Sequence, residues 1–483
     1  MLLSDILNNI SLLTVSGKTD IDIENIQFDS REVNVGSLFI AIPGTQVDGH
    51  DYISTALDLG AKAILCQTLP EIRDKKVTYI VVEKSAKAMG TAAVNFYDNP
   101  ASKLKLVGIT GTNGKTSVAT LLFHLFRKLG YTCGLLSTVQ NQIEDEVIPT
   151  THTTPDSIKI NELLTLMLKK GCTHVFIEVS SHAVVMERIA GLEFTGGVFT
   201  NITQDHLDFH KTFRNYIDAK KGFFDALPKT AFALTNTDDK NGKVMLQNCK
   251  ALKESYTLRG VGTYKGKVLD CALYGLNMII NEQEVWFKLI GRFNAYNLLA
   301  VYGTAILLEE EPEAILTELS QVLPPPGRFE QIHSQDKKVG IVDYAHTPDA
   351  LKNVLETIND LKEGNQQVIC VVGCGGNRDK GKRPQMAKIA CELSDKVILT
   401  SDNPRFEEPE AILADMQEGV SITKRKKVLA ILDRHEAIKT AVMLSNEGDI
   451  VLVAGKGHEN YQDIKGEKNH FDDKEEILAA FAS

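Results

Sequence analysis

The chain has 483 residues, of which 43% are apolar and 24% charged, and a formal net charge of −10. That length supports about two to four separate cores, while the polarity excludes a bundle of membrane-spanning helices. The acidic balance argues against general nucleic-acid binding, because phosphate contacts need a concentrated basic surface to gain from counterion release.

At the N-terminus, MLLSDILNNISLLTV is broken by Ser, Asp and Asn and has no basic leader. Neither a signal peptide nor a membrane span is expected there, and the chain is expected to work in the cytoplasm as a monomer, away from membranes. The runs LFIAI (38–42), AKAILC (61–66) and VTYIVV (77–82) predict short strands of a small α/β domain over residues 1–100. From Leu104 onward LKLVGIT, YTCGLLS, HVFIEVS, GVFTNIT and AFALTN alternate with helical stretches, the pattern of buried parallel strands in a doubly wound sheet. This second domain is assigned to residues 101–328. Three prolines in Leu323-Pro324-Pro325-Pro326-Gly327-Arg328 deny the chain a helix and predict an extended linker. Beyond it VGIVDYAH, QVICVVGCGG, KVILTSDNPR, VLAILD and DIVLVAGKGHE predict a third, Rossmann-like α/β domain over 329–483.

The eight cysteines are scattered, and Cys370 and Cys374 have no second pair to complete a zinc site. They are expected to be reduced and mostly buried, with Cys374 open to exposure in a glycine-rich turn. The basic run Lys424-Arg425-Lys426-Lys427 reads as a solvated loop or helix end.

The segment VGITGTNGKTSVATLL is close to a phosphate-binding loop. The spacing G-x-x-x-x-G-K-[ST] asks for glycine at position 109, where the chain has Ile109, so the loop is shortened to Thr110-Gly111-Thr112-Asn113-Gly114-Lys115-Thr116. Its context is right: a strand precedes it, and Val118, Leu121, Leu122, Leu125 and Leu129 then recur at helical spacing until Gly130. Backbone N–H groups and the helix N-terminus can face phosphate oxygens there. Lys115 would reach the β- and γ-phosphates, and Thr116 would place its hydroxyl on Mg²⁺.

A loop of the form T-G-T-N-G-K-T resembles that of the Mur ligases and the related folylpolyglutamate synthetases. Further motifs extend the resemblance to the Mur ligases over essentially the whole chain: FDSREVNVGSLFIAIPG (28–44), TTPD (153–156), EVSSHA (178–183), TQDHLDFH (203–210), DYAHTPDAL (343–351), GCGGNRDKGKRP (373–384), DNPR (402–405) and GKGHE (455–459). The nearest pattern is that of the branch adding the third residue of the peptidoglycan stem peptide. The resemblance implies three α/β domains: an N-terminal uridine-nucleotide domain, a central P-loop ATPase domain and a C-terminal Rossmann-like domain.

It also implies the chemistry. ATP and Mg²⁺ would activate the D-glutamate γ-carboxylate of UDP-N-acetylmuramoyl-L-alanyl-D-glutamate as an acyl phosphate, which the amine of meso-diaminopimelate then attacks, with no covalent enzyme intermediate. Glu178, ending the strand HVFIE, is a suitable magnesium ligand opposite Thr116, and His206 matches the position of a second magnesium ligand. Histidine is unusual for that hard cation; His182 and His210 are expected to make local hydrogen bonds instead. In NYIDAKKGFF the resemblance implies a CO₂-derived carbamate on Lys220, which replaces a positive charge by a negative one. Lys221 competes for that assignment, although the spacing from Tyr216 and Ala219 favours Lys220. Asn294, Arg328 and Asp343 match positions around adenine and ribose.

On the substrate side, Ser30 matches a uridine contact. Thr153, Thr154, Ser180 and Arg188 match positions holding pyrophosphate, muramoyl and peptide groups. Met186 stands where some relatives have glutamine. Asp402-Asn403-Pro404-Arg405 follows the strand KVILTS, at a strand's C-terminal end where doubly wound sheets place ligands. An arginine there can hold a distal carboxylate through two parallel hydrogen bonds. By resemblance this implies diaminopimelate rather than lysine, with Arg378 on a carboxylate and the Gly455 carbonyl and Glu459 on the ammonium. The rival readings are a lysine-adding relative, a folate-type polyglutamate ligase and a nonenzymatic ATP-binding switch.

Overall fold

The computed structural model describes residues 1–44, 47–150 and 152–482. Three main sheets follow one another along the chain. The first has five strands in the order Leu12–Ser16, Thr78–Val82, Ala63–Cys66, Ser37–Ile40, Asn25–Gln27, antiparallel only at the first pair.

The second sheet has eleven strands. Its parallel centre runs Cys133–Leu136, His174–Glu178, Lys105–Thr110, Gly196–Phe199, Phe232–Asn236 and Leu252–Thr257. Antiparallel ribbons extend both edges: Asn141–Ile143 with Glu146–Ile148, and Tyr264–Ala272, Gly275–Ile280 and Gln283–Phe287. The centre was legible because its strands are apolar on both faces. In Lys105–Thr110, Val107 and Ile109 enter the core beneath the helix Lys115–Lys128, and Leu106 enters the core on the opposite side. Gly108 is required there, since a Cβ would lie 2.6 Å from the Phe223 ring.

The third sheet has six strands in the order Glu330–His333, Val339–Asp343, Ile450–Ala454, Val368–Cys374, Lys396–Ser401, Val428–Ala430, parallel except for the first pair. A ribbon of Tyr461–Ile464 and Glu467–His470 follows the strand Ile450–Ala454 in chain order. The proline segment carries no helix, and Gly327 closes it with φ +65°, its carbonyl accepting from the Tyr344 amide at 3.0 Å. Ile158, from the helix Ser157–Lys169, packs into the core of the first sheet and so joins it to the second.

Seven cysteines are buried and Cys271 is partly so, all as free thiols. Cys374 departs from expectation: it is the last residue of its strand, 3% exposed, and burial pushes its thiol up to about 12. The basic run forms the short 3₁₀ turn Ile422–Lys427 with no buried residue. Among the described residues no helix is long and apolar enough to cross a membrane.

Candidate active site

The strand Lys105–Thr110 turns into the helix Lys115–Lys128 through a loop that the neighbouring strands hold open. Gly114 has φ +85°, in the left-handed region, and a Cβ on Gly111 would lie 1.9 Å from the Thr200 hydroxyl. After the strand Gly196–Phe199, Thr200 Oγ1 and Asn201 Nδ2 both donate to the Asn113 carbonyl, at 2.6 and 3.0 Å, and Asn201 Oδ1 accepts from the Asn113 amide at 3.0 Å. The loop is therefore preorganised by side chains outside it.

Two lysines converge on this loop. Lys115 Nζ donates to the carbonyls of Gly111 and Thr112 at 3.0 and 2.9 Å, and Lys220 Nζ donates to the same Gly111 carbonyl at 2.7 Å. Lys220, on the helix Phe213–Asp225, is 1% exposed, with Nζ 4.8 Å from the centre of the Tyr216 ring. Burial first, and the Lys115 charge second, depress its basicity well below the usual lysine value. Lys221 has a different environment: it pairs with Asp225 at 2.6 Å.

Glu178 is fully buried, and its oxygens accept from the Thr138 amide and hydroxyl at 2.7 and 3.1 Å. His206 has φ +53° and its Nε2 lies 3.4 Å from an Asp205 carboxylate oxygen. Loss of hydration depresses this imidazole despite Asp205. His210 pairs with Ser181 Oγ at 2.9 Å, whereas His182 lies against the rings of Phe209 and His206, 4.1 and 4.9 Å between centres.

A cavity of about 1500 Å³ lies between the second and third sheets. From the second sheet's side Thr112, Asn113, Gly114, Lys115 and Thr116 line it with Glu178 and His206; Thr153, Thr154, Ser180 and Arg188 form a further stretch of wall. Thr154 Oγ1 donates to the Glu178 carbonyl at 2.7 Å, and Arg188 donates to the Thr154 carbonyl at 2.7 Å. Ser180 caps the helix Ser181–Val185, accepting from the Ala183 amide at 3.1 Å. Met186 is part of this wall's support, since Arg188 Nη2 donates to its sulfur at 3.7 Å.

From the third sheet's side come Arg328, Asp343, Arg378, Asp402, Asn403, Arg405, Gly455 and Glu459. Arg328 Nη2 donates to Thr116 Oγ1 at 3.0 Å and its guanidinium lies 4.4 Å from the Tyr344 ring centre. Asp343 accepts from the Phe329 amide at 2.7 Å, and burial raises its carboxyl to about 6. Asn403 donates to Glu459 at 2.7 Å and accepts from the fully buried Lys456 at 3.2 Å. Burial and the neighbouring Asp402 raise the Glu459 carboxyl.

Six expected residues lie off the cavity wall. Thr110 and Gly111 are behind the loop, and Lys220 is beneath it. Ser30 is in the first sheet's domain, at the start of a 3₁₀ turn. Asn294 is buried with its amide donating to the Ile290 carbonyl at 2.7 Å and its carbonyl accepting from Asn297, so Asn297 is the one on the wall. Pro404 contributes through its backbone, whose oxygen a Cβ on Gly376 would approach to 1.9 Å.

Comparison with known proteins follows the same three parts. The Mur ligase family catalytic domain matches residues 22–97, the Mur ligase middle domain 109–305 and the Mur ligase glutamate ligase domain 327–457. A UDP-N-acetylmuramoyl-L-alanyl-D-glutamate–2,6-diaminopimelate ligase of Cytophaga hutchinsonii is 59% identical over 475 residues, 98% of each chain. The chain belongs to the Mur ligase family. A Bacteroides fragilis Mur ligase of the same name is 56% identical over 482 residues, covering 100% of this chain and 99% of that one. A solved structure of a Mur ligase of that name is 32% identical with a TM-score of 0.70, covering 100% of this chain and 99% of the other.

Several groups of this Mur ligase site escape sequence reasoning. Asp349 accepts from Asn113 Nδ2 at 2.9 Å and Lys382 donates to the His346 carbonyl at 2.9 Å, both at the seam between the two walls. Asp205, next to His206 in TQDHLDFH, is a carboxylate whose charge acts on Lys220 and, after Glu178, on Lys115. Only its place in that motif signalled it. Thr138, which holds Glu178, carried no signal.

Among the described residues no three His, Cys, Asp or Glu side chains cluster closely enough to form a metal centre by themselves. Mg²⁺ is usually held by one or two carboxylates together with substrate phosphates and water. The oxygen donors Thr116 and Glu178 share the cavity wall with His206 and fit such a shared site.

Proposed function

We propose that this Mur ligase joins meso-diaminopimelate to the D-glutamate of UDP-N-acetylmuramoyl-L-alanyl-D-glutamate, driven by ATP. The curated relatives above carry the name of that reaction. The observation that carries the assignment is the pair of arginines, Arg378 and Arg405, on one wall of a cavity whose opposite wall is the glycine loop. A distal carboxylate needs such donors; the lysine side chain does not.

In this reading Lys115 and the loop amides hold the β- and γ-phosphates, with Arg328 and Asp343 towards the nucleoside. The γ-carboxylate attacks the γ-phosphorus and ADP leaves. The diaminopimelate amine then attacks the acyl carbon and phosphate leaves. Positioning and stabilisation of transferred charge supply the rate. Thr116, Glu178 and His206 would hold magnesium, which neutralises phosphate charge when bound. Lys220 would join them as a carbamate: its buried, weakly basic nitrogen favours the neutral amine, which adds to CO₂ with loss of a proton and leaves an N-carboxylate. Thr153, Thr154, Ser180 and Arg188 would face the muramoyl peptide, and Ser30 the uridine. The limits 1–100, 101–328 and 329–483 are proposed as domains, supported by the separate cores of the three sheets.

The test is phosphate release measured with diaminopimelate and with lysine separately. The proposal expects release coupled to diaminopimelate; turnover of lysine instead would contradict it.

A further inference from the structure

Arg378 and Arg405 lie on two loops, 375–378 after the strand Val368–Cys374 and 402–407 after Lys396–Ser401. Both loops are outside the ladder of the third sheet, which therefore does not set the distance between the two guanidinium groups; the Arg405 main chain bridges the ribbon instead, its amide donating to the Asp463 carbonyl at 2.9 Å and its carbonyl accepting from the Lys465 amide at 2.7 Å. Arg405 has φ +52° and Asn377 has φ +51°, conformations that persist only where surrounding contacts hold them.

The side-chain contacts that tie the two loops to one helix meet at the buried Arg383 and its half-buried partner Glu407, behind the cavity. Arg383, 0% exposed in the helix Lys382–Leu393, donates to both oxygens of Glu407 at 3.0 and 2.9 Å, to Asp415 at 2.8 Å and to the Gly375 carbonyl at 3.3 Å. Glu407 accepts in turn from the Asn377 amide, and Lys380 lies 3.3 Å away. Arg383 holds the Glu407 carboxyl down at about 2. Between the loops themselves, Arg405 Nη1 donates to the Gly376 carbonyl at 2.9 Å, Gly376 N donates to the Asn403 carbonyl at 2.9 Å, and Phe406 N donates to Asn377 Oδ1 at 3.1 Å. Neither Arg383 nor Glu407 lines the cavity.

We propose that the Arg383–Glu407 pair is a positioning clamp that fixes the separation of Arg378 and Arg405 and thereby sets selectivity for an amino acid with a second carboxylate. This rests on the function proposed above. Glu407 is the side chain to remove, because Arg383 would keep Asp415 and the Gly375 carbonyl as partners. The Asn377 amide would lose its charged acceptor, and the two loops would lose their common anchor. A shift of about 1 Å in a positioning group is enough to cost orders of magnitude in rate. Asp415 supplies the internal control, since it touches Arg383 but neither arginine loop.

The test is steady-state kinetics of the full chain with ATP, the nucleotide dipeptide and diaminopimelate. Glu407→Gln should raise the KM for diaminopimelate about tenfold or more, while the KM for ATP and kcat at saturating diaminopimelate stay within about threefold. Asp415→Asn should stay within about twofold of the parent in all three. If Glu407→Gln does not fold, Arg383→Lys, which keeps the charge but loses the paired geometry, should give the same split between KM and kcat. An unchanged diaminopimelate KM, or an equal rise for ATP, overturns the clamp while leaving the function standing. A parent protein that uses lysine and not diaminopimelate overturns both.

Discussion

Beneath the glycine loop, Lys115 and Lys220 are held by main-chain carbonyls and, among the described residues, by no carboxylate within 4.0 Å. On helices packed against the third sheet, Arg383 and Arg434 are also buried but closed off by acids, Arg434 by both oxygens of Asp473 at 2.7 Å while it also donates to the Ser401 and Ala454 carbonyls. The contrast follows from what each region has to do. A place for a polyanion keeps its cations out of direct ion pairs, whereas a frame that must hold its shape closes its buried cations with acids, because an unpaired buried charge costs several kcal/mol.

The largest break in this contrast is Lys115→Ala. Removing a preorganised cation from developing phosphate charge should lower ATP-dependent phosphate release about 10²–10³-fold, and a variant within tenfold of the parent would remove Lys115 from the chemistry. Arg405→Ala sharpens the other side: activity with diaminopimelate should fall about 10²-fold with the KM for ATP within about threefold. Equal losses for both would place Arg405 in the general framework instead.

The two neighbouring lysines can be separated next. Depleting CO₂ and bicarbonate should lower turnover about tenfold, with recovery on adding bicarbonate. Lys221→Ala should keep that response, because it loses only the ion pair with Asp225; loss of the response in Lys221→Ala would move the modification to that residue.

The smallest expected effect is on stability. Burial raises Asp343 from 3.8 to about 6, so the folded protein binds this proton more tightly than the unfolded chain. The stability this contributes is present below the unfolded value and is lost as pH rises through about 6. Asp343→Asn keeps an oxygen for the Phe329 amide and lacks the titration. Its Tm relative to the parent should therefore rise between pH 4.5 and 7, by the equivalent of at most about 3 kcal/mol. A pH-independent difference would contradict this.

The same contrast separates what the sequence reveals from what it hides. Strands such as Val368–Cys374 are apolar on both faces and announce themselves, and DNPR and GKGHE follow strands at ends where ligands bind. The ribbon strand Tyr264–Ala272 carries mostly exposed or half-buried residues and gave no such run. Contacts made by docking were equally silent: Asn113 with Asp349 and Arg328 with Thr116 are 236 and 212 residues apart. Asn294 was legible as a motif position but not in its orientation, because its amide bonds within its own chain segment and leaves the wall to Asn297.

The most direct measurement is mass spectrometry of the product formed from ATP, UDP-N-acetylmuramoyl-L-alanyl-D-glutamate and equal concentrations of diaminopimelate and lysine. The account predicts the diaminopimelate-containing tripeptide with one ADP per amide bond. A lysine tripeptide, or ADP formed with no new amide bond, would contradict it.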